Sequence, residues 1–221
     1  GINRHMLHFL ENHDEQRIAS KYFAGNAWHA VPAMVVSATI DQGAVMIYFG
    51  QEVGEPALGT EGYSVEDGRT TIFDYWGVPE HQKWVNGGKY NGDSLSVDQK
   101  QLRQFYTDLL KLAGSNPAIT EGEYYDITDS NIKAKNFGKD VLAYIRSKGD
   151  ERLLILTTFN KIEAPIKVQI PSDVATKIGL NVNGNYSGVD LLSKSNEFKL
   201  SNQLVFELNA KPYSAYIIKL K

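Results

Sequence analysis

The chain has 221 residues, a net charge of −3, no cysteine, 42% hydrophobic and 22% charged residues. That length can bury one large or two modest cores, and the ordinary balance of apolar and charged residues excludes a disordered chain. The lack of cysteine excludes disulfides and thiolate metal sites. Mild acidity without a lysine or arginine run argues against nucleic acid as a partner, and no apolar stretch reaches the ~20 residues of a membrane span.

Residues 5–11 read as a short apolar strand that runs into Glu11-Asn12-His13-Asp14, a cluster of acid, amide, imidazole and acid. Residues 15–24 read as a short helix closed by Gly25 and Asn26, and residues 27–40 as a second helix with Pro32 in its first turns. The run 44–49, bounded by Gly43 and Gly50, fits a strand buried on both faces. Residues 50–95 are rich in glycine and polar side chains, too long for an idle connection, and have the look of a functional loop. Ser96 and Gln99 then make a capping box for a helix whose apolar face carries Leu102, Phe105, Leu109 and Leu112. Gly114 is expected to end that helix and Pro117 to prevent its resumption.

The periodicity turns from helical to alternating near Asn116-Pro117, which sets a domain boundary there: residues 1–116 and 117–221. Segments 141–145, 153–159, 166–170, 204–208 and 213–220 are strand-like, with turns at Lys148-Gly149-Asp150 and Asn183-Gly184-Asn185. About seven or eight short strands suggest an antiparallel β-sandwich. The first half reads as strand, helix, strand, long loop, helix, which is two consecutive βα units, whereas a closed (β/α)8 barrel needs about 250 residues. The expected fold class is therefore α/β plus all-β: a partial (β/α)8 TIM-barrel segment followed by a sandwich.

In a parallel barrel the strand ends and the loops after them face the substrate. Asn12, His13 and Asp14 follow the first strand, and Gly50-Gln51-Glu52 follows the second. Phe9-Leu10-Glu11-Asn12-His13-Asp14 resembles the stretch that ends the seventh barrel strand in the alpha-amylase family of glycoside hydrolases. Met46-Ile47-Tyr48-Phe49-Gly50-Gln51-Glu52 is similar to that family's strand-eight ending, and residues 101–112 with Asn116-Pro117-Ala118 resemble its last barrel helix and exit. The β-rich remainder resembles its C-terminal domain.

That family cleaves or transfers α-glucosidic linkages with retention, using an aspartate nucleophile, a glutamate acid/base and a further aspartate. By the resemblance, Asp14 matches the further aspartate, a transition-state stabiliser, while His13 and Asn12 are substrate-binding. The physical logic is that positive charge develops at the ring carbon, so a fixed carboxylate gains interaction as the reaction proceeds. The nucleophile and the acid/base belong to strands four and five, which would precede residue 1. The chain is thus expected to be the C-terminal part of an enzyme acting on starch or maltodextrin, and inactive alone.

The resemblance further implies an alpha-glucan oligosaccharide or polysaccharide as partner and no cofactor in this chain, any calcium lying in the missing part. A periplasmic or secreted setting suits a glucan-degrading parent, although the sequence leaves localisation open. Two strands cut from a barrel would expose unpaired edges, so self-association or rearrangement of residues 1–115 is expected. Alternatives are a transglycosylase or isomerase within the family, a non-catalytic carbohydrate-binding unit, and a structural interaction module.

Plainer readings compete at each position. Asp14 can serve simply as the N-cap of a helix over 15–24. Glu11 is either a buried, satisfied carboxylate or a ligand contact. His5, His8 and His13 do not suit a metal, because His5 and His8 point to opposite sides of a strand. Glu52 is expected to pair with an arginine, and Arg69, Tyr75, Trp76 and Trp84 to pack the long loop down rather than stack on sugars. Gly87-Gly88-Lys89 lacks the strand–loop–helix context of a phosphate loop.

Overall fold

The alternating sequence beyond residue 120 folds into antiparallel sheet. The computed structural model describes residues 6–60, 65–73, 77–193, 197–201 and 203–221. They divide into a first unit of residues 1–38 and 43–110 and a second of residues 39–42 and 111–221.

In the second unit, β1 (Glu123–Asp126), β2 (Val141–Lys148), β3 (Glu151–Thr158), β5 (Tyr186–Asp190), β6 (Glu197–Leu200) and β8 (Ser214–Leu220) form one sheet in the order β1-β2-β3-β8-β5-β6. A second sheet pairs β4 (Ala164–Gln169) with β7 (Val205–Ala210). Every ladder is antiparallel. β2 and β3 meet at Lys148↔Glu151 across Gly149-Asp150, with Gly149 at φ 57° as so tight a loop favours.

Period-two alternation sends Ala143, Ile145, Leu154, Leu156 and Ile218 of the larger sheet toward Ile166, Val168 and Phe206 of the smaller one, and these form a single apolar core. The opposite face of the larger sheet is covered too: Leu153, Ile155, Ile217, Tyr144 and Arg146 are all buried. Arg146 explains how. Its guanidinium donates to the carbonyls of Ala118, Ile119 and Ile40, clamping the short helix α4 (Pro117–Thr120) and residues 39–42 onto that face. The near-continuous apolar run Leu153-Leu154-Ile155-Leu156 is what burial on both faces requires.

The expected strands at 141–145, 153–159, 166–170, 204–208 and 213–220 all form, within a residue or two except that β2 runs on to Lys148. β1, β5 and β6 and the helices α5 (Thr128–Lys133) and α6 (Ser172–Lys177) were not anticipated. β5 is hidden by its composition. Gly188 is disfavoured in strands, but a Cβ there would run into Ile218 Cγ2 of neighbouring β8, so only glycine permits the approach.

The first unit contains a 3₁₀ turn (Ala27–Ala30) leading into α1 (Val31–Thr39), a 3₁₀ turn (Gln51–Val53), α2 (Pro79–Val85) and most of α3 (Val97–Ser115), whose last five residues belong to the second unit. α1 and α3 match expectation. Ser96 Oγ accepts from Gln99 N at 3.2 Å while Gln99 Oε1 accepts from Ser96 N at 3.0 Å, closing the capping box. α3 nevertheless runs through Gly114, and Pro117 opens α4 rather than blocking it, since proline suits a first helical turn and Asn116 Oδ1 caps it through Ala118 N.

Three other expectations for this unit need correction. Residues 15–24 make successive turns, not a helix, because Arg17 N donates to Gly68 O and Ile18 N to Glu11 Oε1, which diverts the amides a helix would use. The segments 5–11 and 44–49 do not form full strands. Among the described residues they share one parallel bridge, His8↔Val45, with His8 N donating to Ala44 O at 2.8 Å and Met46 N to His8 O at 2.9 Å. A two-stranded pair lacks the neighbours that stabilise a ladder. The long loop also carries α2, where Pro79 fits the first turn.

Candidate functional site

The side chain of Asn12 shapes the first cluster. Its Oδ1 accepts from the backbone N–H groups of Asp14 (2.8 Å) and Glu15 (2.9 Å), an Asx-type turn that folds residues 12–15 back on themselves. Asn12, not Asp14, therefore supplies the local cap, and no helix follows. His13 and Asp14 point outward, with side chains 46% and 74% exposed, and His13 Nε2 lies 3.6 Å from Asp14 Oδ2. The turn presents carboxylate oxygens and an imidazole to solvent, the hydrogen-bonding repertoire that suits a polyhydroxylated ligand.

Immediately before this turn Glu11 faces the interior. Its Oε2 accepts from Arg17 Nη1 at 2.9 Å and its Oε1 from Ile18 N at 2.7 Å. Both side chains are essentially excluded from water, at 3% and 0%. Burial pushes the Glu11 carboxyl above its ordinary value, against the pull of the Arg17 guanidinium. Of the two readings of Glu11, the structure shows the buried, satisfied carboxylate.

Arg17 also donates from Nε to Thr70 Oγ1 at 2.9 Å and from Nη2 to Phe49 O at 2.8 Å. Its guanidinium sits 4.1 Å from the ring centre of Tyr48, whose hydroxyl in turn donates to Thr70 O. One side chain thus fastens the approach to the 12–15 turn, the end of the 44–49 segment and Thr70.

The second cluster begins directly after Phe49. Gly50, at φ 87°, lets its carbonyl accept from both Val53 N and Glu55 N. Gln51 is buried and donates to Tyr106 Oη at 3.1 Å. Glu52, expected to pair with an arginine, has its Oε2 buried without a hydrogen-bond partner among the described residues. Glu55 is buried and accepts from Glu80 N and Ala57 N, and burial raises its carboxyl against these two bonds. Burial likewise lowers the imidazole of His81, which packs against Phe49 and Trp84, with the charge of Glu52 opposing.

Trp84 is a packing residue, set between His81, Tyr90 and the guanidinium of Arg103. Arg69 is held by Asp67. Tyr75, Trp76 and His5 lie outside the described residues. No group of three metal-ligating side chains occurs among the described residues, and among them no helix is long and apolar enough to cross a membrane. Arg17, Thr70 and Glu55 are the residues of this region that sequence reasoning passed over. Arg17 reaches Phe49 and Thr70 and Glu55 reaches Glu80, contacts between distant segments that no local pattern marks.

No family model matches the sequence. The chain is 24% identical over 218 residues to alpha-amylase 3 of Dictyoglomus thermophilum, covering 96% of this chain and 38% of that protein. It is 22% identical over 257 residues to oligo-1,6-glucosidase of Bacillus cereus, covering 96% and 42%. Among solved structures it is similar to AmyP in complex with maltose, with a TM-score of 0.63, 20% identity and coverage of 96% of this chain and 40% of that one. The chain spans about two fifths of the length of the curated relatives it matches.

Proposed function

We propose, from the premise that this chain is a homologue of the alpha-amylase family glycosidases, that it is the C-terminal portion of a retaining enzyme that cleaves α-glucosidic linkages of starch or maltodextrin. The observation that carries this reading is the Asn12-His13-Asp14 turn, which projects a carboxylate and an imidazole into solvent from a rigid, buried base. In the role we assign, Asp14 stabilises the oxocarbenium-like transition state, and His13 and Asn12 engage the same sugar. The maltose complex of a structural neighbour supports a glucan as ligand.

Residues 1–116 are, on this reading, the last two βα units of a (β/α)8 barrel. The parallel His8↔Val45 bridge followed by α3 supports that assignment. Residues 117–221 are the C-terminal β-domain. Exposed Met6, Leu7 and Phe9 flank the bridge, and we include self-association of the isolated chain in the reading.

Retention needs two carboxyl groups about 5–5.5 Å apart across the scissile bond. Glu11 and Glu55 are buried and committed to protein donors, and in the reading proposed the nucleophile and acid/base lie upstream of this chain, so the chain alone should not hydrolyse glucan. Reducing-sugar release from soluble starch, measured for this chain and for the full-length polypeptide that contains it, tests the proposal. Activity in the longer protein alone is expected. Activity in the isolated chain would overturn the assignment of roles, and activity in neither would favour a non-catalytic carbohydrate-binding module.

A further inference from the structure

We infer that Arg17 is a positioning residue that holds the Asn12-His13-Asp14 turn in register with the Gly50-Gln51-Glu52 turn; the inference rests on the functional reading of Asp14 given above. The geometry is that of a three-way clamp. Nη1 holds Glu11, the residue next to Asn12; Nη2 holds the carbonyl of Phe49, the residue next to Gly50; and Nε holds Thr70 Oγ1. The flat guanidinium also lies over Tyr48.

Each group serves a different segment; Tyr48 Oη ties two of them through Thr70 O and Gln16 Nε2 another two through Asp67 O, while Arg17 reaches all three. Glu11 completes the arrangement from its own side. One carboxylate oxygen takes the arginine and the other takes Ile18 N, so the chain is pinned just before and just after the exposed turn.

Only arginine can do this. Lysine would present a compact ammonium that reaches one or two of these acceptors, without the planar fork that meets three directions at once. Arg17 is wholly buried, at 0% exposure, so its side chain touches no substrate and acts through the turn it holds. Asp14 has an exposed side chain, and the tether behind it limits where its oxygens can go. Displacing a reacting group by about 1 Å can cost on the order of 100-fold in rate.

The test uses the full-length polypeptide that contains this chain, with kcat and KM for hydrolysis of soluble starch read for the unaltered protein, Arg17→Lys, Asp14→Asn and the double variant. Thermal unfolding and tryptophan emission confirm that each variant is folded. Arg17→Lys is expected to lower kcat about 10- to 100-fold with little change in KM. In the Asp14→Asn background the same change should cost almost nothing further, because a residue that acts through Asp14 has nothing left to position. Thr70→Val removes one bond of the clamp and should give a smaller loss in the same direction, and it replaces Arg17→Lys if that variant does not fold.

Unchanged kcat in folded Arg17→Lys, or a loss that persists in full without the Asp14 carboxylate, overturns the positioning role while leaving the functional reading intact. Unchanged activity in Asp14→Asn overturns the functional reading itself, and the positioning role with it.

Discussion

The two units are held together by different physics. The second rests on ladders and a continuous apolar core, in which Leu154, Leu156, Val168, Phe206 and Ile218 all lie at or near zero exposure. The first has one parallel bridge among its described residues, and to buried apolar residues such as Met34, Val35, Val53 and Leu109 it adds buried polar side chains that each tie several segments: Arg17, Glu11, Gln51 and Glu55. An apolar core spreads stabilisation over many interchangeable contacts, whereas a buried ionic clamp concentrates it in a few groups that cannot lose their partners. The region from which we propose that a carboxylate is presented is therefore also the region most easily broken at one residue.

Arg17→Met should have the largest effect on stability. It strands Glu11 as a buried carboxylate without its cation, which costs about 3–5 kcal/mol. All three tryptophans, Trp28, Trp76 and Trp84, fall in the first unit, so urea unfolding followed by tryptophan emission reports that unit, while amide hydrogen exchange of β2, β3 and β8 reports the second. The emission midpoint should fall with little change in the exchange protection of those strands. An equal fall in both would break the contrast drawn here.

Leu154→Ala is the matching lesion in the other unit. It empties part of a fully buried site in β3 and should cost about 2–5 kcal/mol, seen in the hydrogen exchange of β2, β3 and β8. Conservative repacking should restore much of the loss, with Leu154→Met costing less than about 1.5 kcal/mol. No such substitute exists for Arg17.

Glu11 and Glu55 of the first unit and Glu151 of the second should also contribute pH dependences of opposite sign, while the lowered Glu66, Asp67 and His81 of the first unit oppose Glu11 and Glu55. Glu11 and Glu55 have carboxyls raised above the ordinary 4.5, mainly by burial, so these two groups take up protons on folding. Their contribution is fully present below pH 4.5 and is lost as pH rises through their folded values. In the second unit partial burial acts to raise Glu151, but the hydrogen bonds from Lys219 Nζ and Asn116 Nδ2 hold it below 4.5. That contribution is present above pH 4.5 and is lost as pH falls through the folded value. Urea titrations at a series of pH values, read by emission and by strand exchange corrected for its intrinsic pH dependence, test these contributions by difference: Glu151→Gln should flatten the acid limb of the strand exchange and leave the emission midpoint unchanged.

Ser96→Ala is the smallest change expected. Losing the oxygen that accepts from Gln99 N should cost about 1 kcal/mol at the start of α3, visible in the emission midpoint.

How legible each unit is in sequence follows from the same contrast. Alternation at 153–159 and 166–170 survives folding because ladder and core demand the same pattern, and the Ser96–Gln99 box is a local device that needs nothing distant. β5 escapes notice because Gly188 answers to Ile218, thirty residues on, and not to any propensity of its own. Residues 15–24 fail as a helix for a related reason: Gly68 O and Glu11 Oε1 compete for the amides of Arg17 and Ile18. The Asn12-His13-Asp14 cluster stands out as a run of chemically active side chains, while its support does not, since Arg17 reaches Phe49 and Thr70, 32 and 53 residues away.

The most direct measurement is the rate of reducing-sugar release from saturating soluble starch by the full-length polypeptide carrying Asp14→Asn, beside the unaltered protein. A fall of about 10²- to 10³-fold in kcat with the fold intact is the result this account predicts. Equal rates would contradict it, and would leave the exposed turn as a surface feature on a well-tied loop.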